Sequence, residues 1–409
     1  AAAALAVKNS LELGIDATDI RQAEAQVRKA FGLDDFQLTA SATYGRKGPI
    51  ASVDLGEGKS MSLGSADIAT EQLQLVKPLY SGKQIERAQD LAMRSLELTR
   101  LSADVTARAL DLTAREVAYG VMRASQLADV AQQQAVAVAA HLDLSKKLAD
   151  GGVVAQFEVV QANTQLATAQ GEVISARTNI ENAKARLKRV LTLPQDTELE
   201  VTQGAAFEAP PGDVQTLLQQ ALEQRPEVAA SASGVKLAEA NLQLAKSTSA
   251  LSVNLAAGLT HTKASFGSEP TSWQVAVAAQ KPILDGRERE SAIQQAKAQV
   301  DAAKLQLEKT KQEIGLAVTQ AYLNLGDAQE RLRVAKEGVV NAEEQTRIAK
   351  VRYEGGIALG VEVIDAETNL AAARAEVVNA EYNVEFAIAQ LRSSVGLWGA
   401  SDPERSHST

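Results

Sequence analysis

Two stretches of this chain repeat one another: VVQANTQLATAQGEV at residues 159–173 and VIDAETNLAAARAEV at residues 363–377. They lie 204 positions apart, and eight of their fifteen positions are identical: Val159, Ala162, Thr164, Leu166, Ala167, Ala169, Glu172 and Val173. The same offset superposes the prolines and glycines that punctuate the chain, pairing Pro78 with Pro282, Gly82 with Gly286, and Gly151-Gly152 with Gly355-Gly356. A register held over so many residues indicates duplication of one structural unit.

The composition favours long helices over compact globular domains. Aromatic residues make up only 3% of the chain, whereas Ala, Gln, Glu, Leu and Lys crowd the predicted helices. A net charge of −9 and a pI near 5.2 argue against nucleic acid as a partner, because nucleic acid calls for a basic surface. The chain has no cysteine, which excludes disulfides, cysteine metal sites and a thiol nucleophile.

Two long helical hairpins are predicted, at residues 83–193 and 287–397. Gly120 is the only glycine or proline between Gly82 and Gly151. Residues 83–150 therefore read as near-continuous helix, about 100 Å long at 1.5 Å per residue. Apolar residues recur every seven positions in both hairpins, as in a coiled coil: Leu91, Leu98, Val105 and Leu112 in the first, and Ile293, Val300, Leu307 and Ile314 in the second. The glycine pairs turn each helix back on itself.

Four segments of about ten residues alternate between apolar and polar side chains, which predicts strands with one apolar and one polar face. They lie at about 36–44, 67–76, 251–260 and 272–280. Glu71 interrupts the apolar face of the second. Ten tilted residues suffice to cross a bilayer, but about eight strands are needed to close the smallest barrel. Open strand edges are not tolerated in lipid, so several chains would have to share one barrel.

The duplication also divides the chain. The first structural repeat is expected at 1–193 and the second at 214–397, each in the order helix, two strands, helical hairpin. An irregular connector at 194–213 joins them, and a polar tail follows at 398–409. Residues 1–30 read as one helix, 45–65 as a Gly/Pro-rich loop, and Arg225-Pro226 as a break in the helix at 214–246.

Residues for catalysis or metal binding are not indicated by the sequence. His141, His261 and His407 lie far apart without metal-type spacing, and exposed or loop positions are expected for them. No Gly-x-Ser-x-Gly motif surrounds a serine. The prediction is a protein that is not an enzyme and that uses no metal or cofactor.

Acidic residues follow the glycine turns of both hairpins. Glu158 lies in the first tip, and Glu362 and Asp365 lie one helical turn apart in the second. Acids at these positions also favour the dipole of a helix N-terminus. In a rotationally symmetric assembly they would repeat around an axis and form an acidic constriction selective for cations.

Three motifs carry a resemblance to a known family. They are the strand-to-helix turns PLYSG at Pro78–Gly82 and PILDG at Pro282–Gly286, and the stretch RYEGGIALGVEVIDAETNL at Arg352–Leu370. Together with the duplication, they make the chain similar to the outer-membrane efflux protein family, the TolC-like exit ducts of tripartite efflux and type I secretion systems. The resemblance extends over essentially residues 5–397.

The resemblance implies a homotrimer in the outer membrane, with a twelve-stranded β-barrel shared by three chains and a helical α-barrel extending through the periplasm. It implies that Glu362 and Asp365 line the periplasmic aperture, and we expect Glu158 of the first tip beside them. The tips at Gly151-Gly152 and Gly355-Gly356 would contact an adaptor protein, and through it an inner-membrane pump. Ala358 stands where a basic residue latches the closed tip of the best-known member.

Other interpretations stay open at this point. A periplasmic adaptor also carries a long hairpin, but two hairpins and only four long strands count against it. A coiled-coil scaffold would explain the sevenfold spacing but not the four alternating strands. The chain begins at AAAALAVKNS without a basic and then apolar leader, so we expect a processed form whose export signal is absent.

Overall fold

The fold is that of a computed structural model, whose described residues are 2–49, 51–54, 56, 60–62, 66–202, 208–264 and 270–397. The polar tail at 398–409 lies outside them. Across these residues, no helix combines the length and apolar character needed to cross a membrane. The helices are α1 Ala2–Asn9, α2 Leu11–Phe31, α3 Gln84–Asp150, α4 Gln156–Val190, α5 Val214–Gln224, α6 Pro226–Ser247, α7 Glu288–Glu354 and α8 Gly360–Val395.

Four strands form one antiparallel sheet. They are β1 Gln37–Arg46, β4 Asp67–Tyr80, β5 Ser252–Ala264 and β6 Thr271–Gln280, paired in the order β1-β4-β5-β6. The central pair joins a strand from each half of the chain. A short hairpin of β2 Ser52–Asp54 and β3 Ser60–Ser62 stands apart from this sheet; it lies in the predicted Gly/Pro-rich loop and was not predicted.

Two compact units divide the chain. One comprises Ala1–Ala17, Leu101–Ala229 and Glu308–Thr409, and the other comprises Thr18–Arg100 and Ala230–Leu307. The first holds the hairpin tips and the second holds the sheet. Each unit therefore takes segments from both halves of the chain.

The 204-residue offset found in the sequence recurs in the backbone. It carries both ends of α3 onto both ends of α7, and the start of α4 onto the start of α8. It also relates pairs of residues with positive φ: Gly82 and Gly286, Lys83 and Arg287, Gly152 and Gly356, and Thr192 and Gly396. The two hairpins thus share their turn conformations as well as their helix lengths.

The helical core is built twice from equivalent positions. α1 packs on α3 and α4 through Ala6, and α5 packs on α7 and α8 through Ala221. The offset relates four pairs of buried core residues: Ala114 and Val318, Val121 and Leu325, Leu187 and Leu391, and Leu191 and Val395. From the buried Ile314, the sevenfold spacing continues along α7 through small buried residues: Ala321, Ala328, Ala335, Ala342 and Ala349. Small residues at this spacing let neighbouring helices approach closely.

Several boundaries differ from the prediction, among them the end of β5, which continues to Ala264. The helix expected at 1–30 is divided at Ser10, whose Oγ accepts a hydrogen bond from the amide of Leu13 at 3.2 Å and so caps α2. β4 continues past Pro78 to Tyr80, because its register with β5 shifts between these two residues. Proline is tolerated at such a bulge, where ladder hydrogen bonds are interrupted. The break at Arg225-Pro226 is confirmed by the end of α5 at Gln224.

Gly82 and Gly286 offer a matched pair for testing the strand-to-helix turns. Both have φ near +60°, but a Cβ at Gly82 would lie 2.0 Å from the Cβ of Ala250, whereas a Cβ at Gly286 would meet nothing within 4 Å. Gly82→Ala should lower the thermal unfolding midpoint in detergent, by circular dichroism, more than Gly286→Ala. Both variants bear a backbone penalty of roughly 1–2 kcal/mol, and only the first adds a steric clash. Equal losses would contradict this role of Gly82.

Candidate functional site

Both hairpins turn through the same hydrogen-bonded cap. In the first, the amide of Val153 donates to the carbonyl of Leu148 at 2.8 Å, and Gly152 donates to Ala149 at 3.0 Å. In the second, Ile357 donates to Arg352 at 2.9 Å and Gly356 donates to Tyr353, also at 2.9 Å. This is the Schellman pattern, in which a residue with positive φ follows the last helical turn. Gly152 and Gly356 meet that need.

The predicted aperture acids of the second tip occupy different environments. Glu362 forms an ion pair with Arg352, whose Nη1 lies 3.1 Å from Glu362 Oε2. This bond links the end of α7 to the start of α8. Asp365 is exposed, and no ion pair involves it within the described part of the chain. Of the two predicted aperture carboxylates in the second tip, Glu362 is thus in an ion pair and Asp365 has no ion-pair partner among the described residues.

Glu158, the predicted acid of the first tip, turns toward the second hairpin. A Cβ at Gly360 would lie 3.0 Å from Glu158 Oε2. That oxygen is buried and has no hydrogen-bond partner among the described residues. The 204-residue offset makes Glu158 and Glu362 equivalent in sequence, but the structure does not give them equivalent surroundings.

Tyr353 is the centre of the contact between the hairpins. It is fully buried, and its hydroxyl oxygen lies 3.0 Å from Oγ of the fully buried Ser145 on α3. Burial raises the pKa of Tyr353 above its ordinary value; the Ser145 hydroxyl opposes this shift, and the Glu158 carboxylate adds to it. Tyr353 also packs with Val363 and with Leu148 of the first hairpin.

The prediction of exposed or loop positions for the histidines is wrong for His141. It lies within α3, is only 5% exposed, and its ring centroid is 5.1 Å from that of Tyr353. Its Nδ1 is buried without a hydrogen-bond partner in the described regions. Burial lowers the pKa of His141 below its ordinary 6.5, against the opposing effect of Glu367 and Glu158. Sequence spacing gave no signal for this residue, since its neighbours come from other helices.

An ion pair within the second hairpin, buried at its acidic end, lies beside this contact. Glu367 on α8 is 4% exposed, and its Oε1 lies 2.9 Å from Nζ of Lys350 on α7. Neither Glu367 oxygen makes a well-aligned hydrogen bond within the described residues, so the ion pair is the main compensation for burying this charge. Five polar residues from four helices thus converge beneath the tips, and we call them the tip cluster: His141, Ser145, Glu158, Tyr353 and Glu367.

Both tips expose large apolar side chains. These follow directly after the glycine turns: Val153, Phe157, Ile357 and Leu359. These residues lie beside Gly151-Gly152 and Gly355-Gly356, the positions predicted to contact an adaptor.

The four-stranded sheet has two chemically distinct faces. Directly paired residues in adjacent strands share a face, so the register defines rows across all four strands. One face carries the rows Leu38, Leu75, Ala257, Val275 and Ala40, Leu73, Leu259, Trp273. The other carries Thr39, Gln74, Gly258, Gln274 and Ser41, Gln72, Thr260, Ser272. Every residue of β1 and β6 is exposed, so both faces of these strands are uncovered.

The register also places Glu71, the acid that interrupts the apolar face. Glu71 pairs directly with His261 on β5, and His261 pairs with Thr271 on β6, whose Oγ1 is 2.9 Å from His261 Nδ1. This row follows the row of Leu73 and Trp273 toward the β5–β6 loop. Glu71 therefore belongs to a polar row that ends the apolar band, and the predicted alternation of β4 is correct.

The fold of two long hairpins and a four-stranded sheet is shared with solved outer-membrane channel proteins. Residues 217–397 match the family model described as Outer membrane efflux protein. The resemblance inferred from the sequence is thereby confirmed, as is the mainly helical fold class with its small sheet. The family is one of channel proteins rather than enzymes.

Individual relatives carry the same resemblance. The chain is 23% identical to outer membrane protein TolC of Escherichia coli over 299 residues, which are 69% of this chain but only 60% of that protein. It is 22% identical to outer membrane efflux protein BepC of Brucella suis, over 84% of this chain and 76% of that protein. The structure of outer membrane protein VceC of Vibrio cholerae superposes with a TM-score of 0.78 at 18% identity, covering 97% of this chain and 95% of that one. The names of these relatives agree with the predicted outer-membrane location.

The Ser145–Tyr353 contact can be tested by a double-mutant cycle. Ser145→Ala and Tyr353→Phe should each speed hydrogen exchange at 141–150 and 349–358, because each leaves a buried polar partner unpaired. The loss of stability in the double variant should be smaller than the sum of the losses in the two single variants, by about 0.5–3 kcal/mol. The control cycle combines Ser145→Ala with Tyr322→Phe. Tyr322 lies on the same helix as Tyr353 but is partly exposed, so the two losses of stability should be additive. Additivity in both cycles would mean that the two hydroxyls do not interact.

Proposed function

We propose that this chain forms, as a homotrimer, a passive exit duct in the outer membrane, continued into the periplasm by its helical hairpins. The observation that carries the proposal is the sheet with two exposed faces and an open edge at β1 and at β6. A single chain leaves the backbone donors and acceptors of both edges without a strand partner within the described residues. Pairing β1 of one chain with β6 of the next satisfies both edges.

The faces of the sheet support a membrane location. A barrel made from three such sheets would direct the rows of Leu73 and Trp273 to lipid and the rows of Gln72 and Gln74 to a water-filled interior. The Glu71–His261 row would then lie at the outer boundary of the lipid. We also propose that the chain consists of two structural repeats, at 1–193 and 214–397. Each repeat contributes two strands and one helical hairpin.

The helical tips are proposed as the periplasmic entrance. Glu362 and Asp365 would repeat around the axis of a trimer and favour cations, with Glu158 nearby in the first tip. The exposed apolar residues around Gly151-Gly152 and Gly355-Gly356 provide a surface for an adaptor protein, which would connect the duct to an inner-membrane pump. The energy for export would come from that pump, and the duct itself would use no cofactor.

The assembly is tested by mass in detergent together with electron microscopy. We expect trimers that resist heating in detergent on a gel, and elongated hollow particles. A monomer that stays in solution without detergent, with no hollow particle, would overturn the proposal.

The aperture is tested by block of single-channel current in planar bilayers. The double change Glu362→Ala with Asp365→Ala should weaken block by a polycation added on the tip side, because it removes two carboxylates at the entrance. Asp301→Ala with Glu308→Ala removes two exposed acids far back along α7 and should leave block unchanged. Equal block in all three proteins would exclude the acidic constriction.

Arg352 gives a prediction of opposite sign. Because its guanidinium compensates Glu362 at 3.1 Å, Arg352→Ala should expose that carboxylate and strengthen polycation block. Arg352→Lys keeps the charge and should leave block near the wild-type level. Weaker block in Arg352→Ala would mean that the ion pair does not set the charge of the entrance.

A further inference from the structure

The tip cluster brings together groups from all four helices of the two hairpins. His141 and Ser145 come from α3, Glu158 from α4, Tyr353 from α7 and Glu367 from α8. The charged and titratable groups that face His141 are Glu158, Tyr353, Lys350 and Glu367. Separating the hairpins would therefore break the contacts of Tyr353 with His141 and Ser145.

Burial disfavours the charged form of His141, although the carboxylates of Glu367 and Glu158 act in the opposite direction. An imidazolium would also need a hydrogen-bond acceptor at both nitrogens. Nδ1 is buried and unpartnered within the described residues. The nearby carboxylate of Glu367 is already engaged by Lys350 at 2.9 Å, and Lys350 repels a second positive charge.

We propose that the tip cluster is a proton-sensitive latch, in which protonation of His141 loosens the packing of the first hairpin tip against the second. Closed tips bury the ring at 5% exposure, and separated tips would return it to water, where an imidazolium is well solvated. Mild acid would therefore favour separation of the tips.

The sign follows from the lowered pKa of His141. A histidine that binds its proton more weakly in the closed form stabilises that form fully above its ordinary pKa of 6.5. This stabilisation decreases as the pH falls below 6.5 toward the lowered value. Each unit of lowering allows at most about a tenfold gain of the separated state. Histidine is the side chain whose charge changes in this pH range.

Hydrogen exchange on detergent-solubilised protein tests the latch directly. After correction for the chemical exchange rate, exchange at 141–158 and 353–367 should rise by about threefold or more between pH 7.5 and 5.5. Exchange in the buried core around Leu217 and Leu391 should not change. His141→Gln should abolish the rise. His141→Phe should abolish it too, and because it keeps a ring against Tyr353, it serves as the second variant in case His141→Gln packs poorly.

His261→Gln is the matched control, because it removes a histidine from the sheet and leaves the tips intact. It should keep the full pH response. A wild-type protein without the rise would overturn the latch, and so would a rise that persists in both His141 variants.

The consequence for transport rests on the proposed function and is tested separately. Single-channel conductance in bilayers should increase from pH 7.5 to 5.5 in the wild type and not in His141→Gln. A rise in exchange without any change in conductance would uphold the latch and contradict the role of the tips as the entrance of the duct.

Discussion

The open edges of the sheet are the constraint on which the rest of the structure depends. Backbone donors and acceptors away from water must be paired, and β1 and β6 each pair on one side only within the described residues. The apolar face makes the requirement stricter, since Leu73 and Trp273 suit lipid, where no water can replace a missing partner. In lipid, such a sheet would need a further strand at each of these edges. The repeated turns at Gly82 and Gly286 begin the two helical hairpins with the same backbone conformation.

The helices of the long hairpins pack through small side chains. A thick core of large residues is replaced by alanines spaced seven apart on α7, from Ala321 to Ala349. Such a thin layer fixes the helix spacing but adds little specificity, because alanine fills almost any groove. Specificity at the tips comes instead from a few polar contacts between the hairpins and within the second, above all Ser145 with Tyr353 and Lys350 with Glu367.

The features that the sequence predicted are those with a local or periodic cause. Alternation predicted the four strands and their faces, the sevenfold spacing predicted the long helices, and the glycine pairs predicted the turns. The cap at Ser10 was missed because a lone serine among helix formers is a weak signal, and the continuation of β4 past Pro78 was missed because it depends on pairing with β5. The burial of His141 was missed for a stronger reason: Glu158, Tyr353 and Glu367 reach it from three other helices, and only the packing of the two hairpins brings them together.

The duplication is preserved in the backbone of the tips but not in their chemistry. Glu158 and Glu362 are equivalent by position, yet one faces the neighbouring hairpin and the other pairs with Arg352. In a ring of identical chains, the junction inside a chain and the junction between chains would therefore be unlike, and the two kinds would alternate around the rim. A ligand that bound once to each hairpin would therefore occupy two kinds of site in alternation. Neighbouring copies of the ligand would bind with unequal affinity, although the copies themselves are identical.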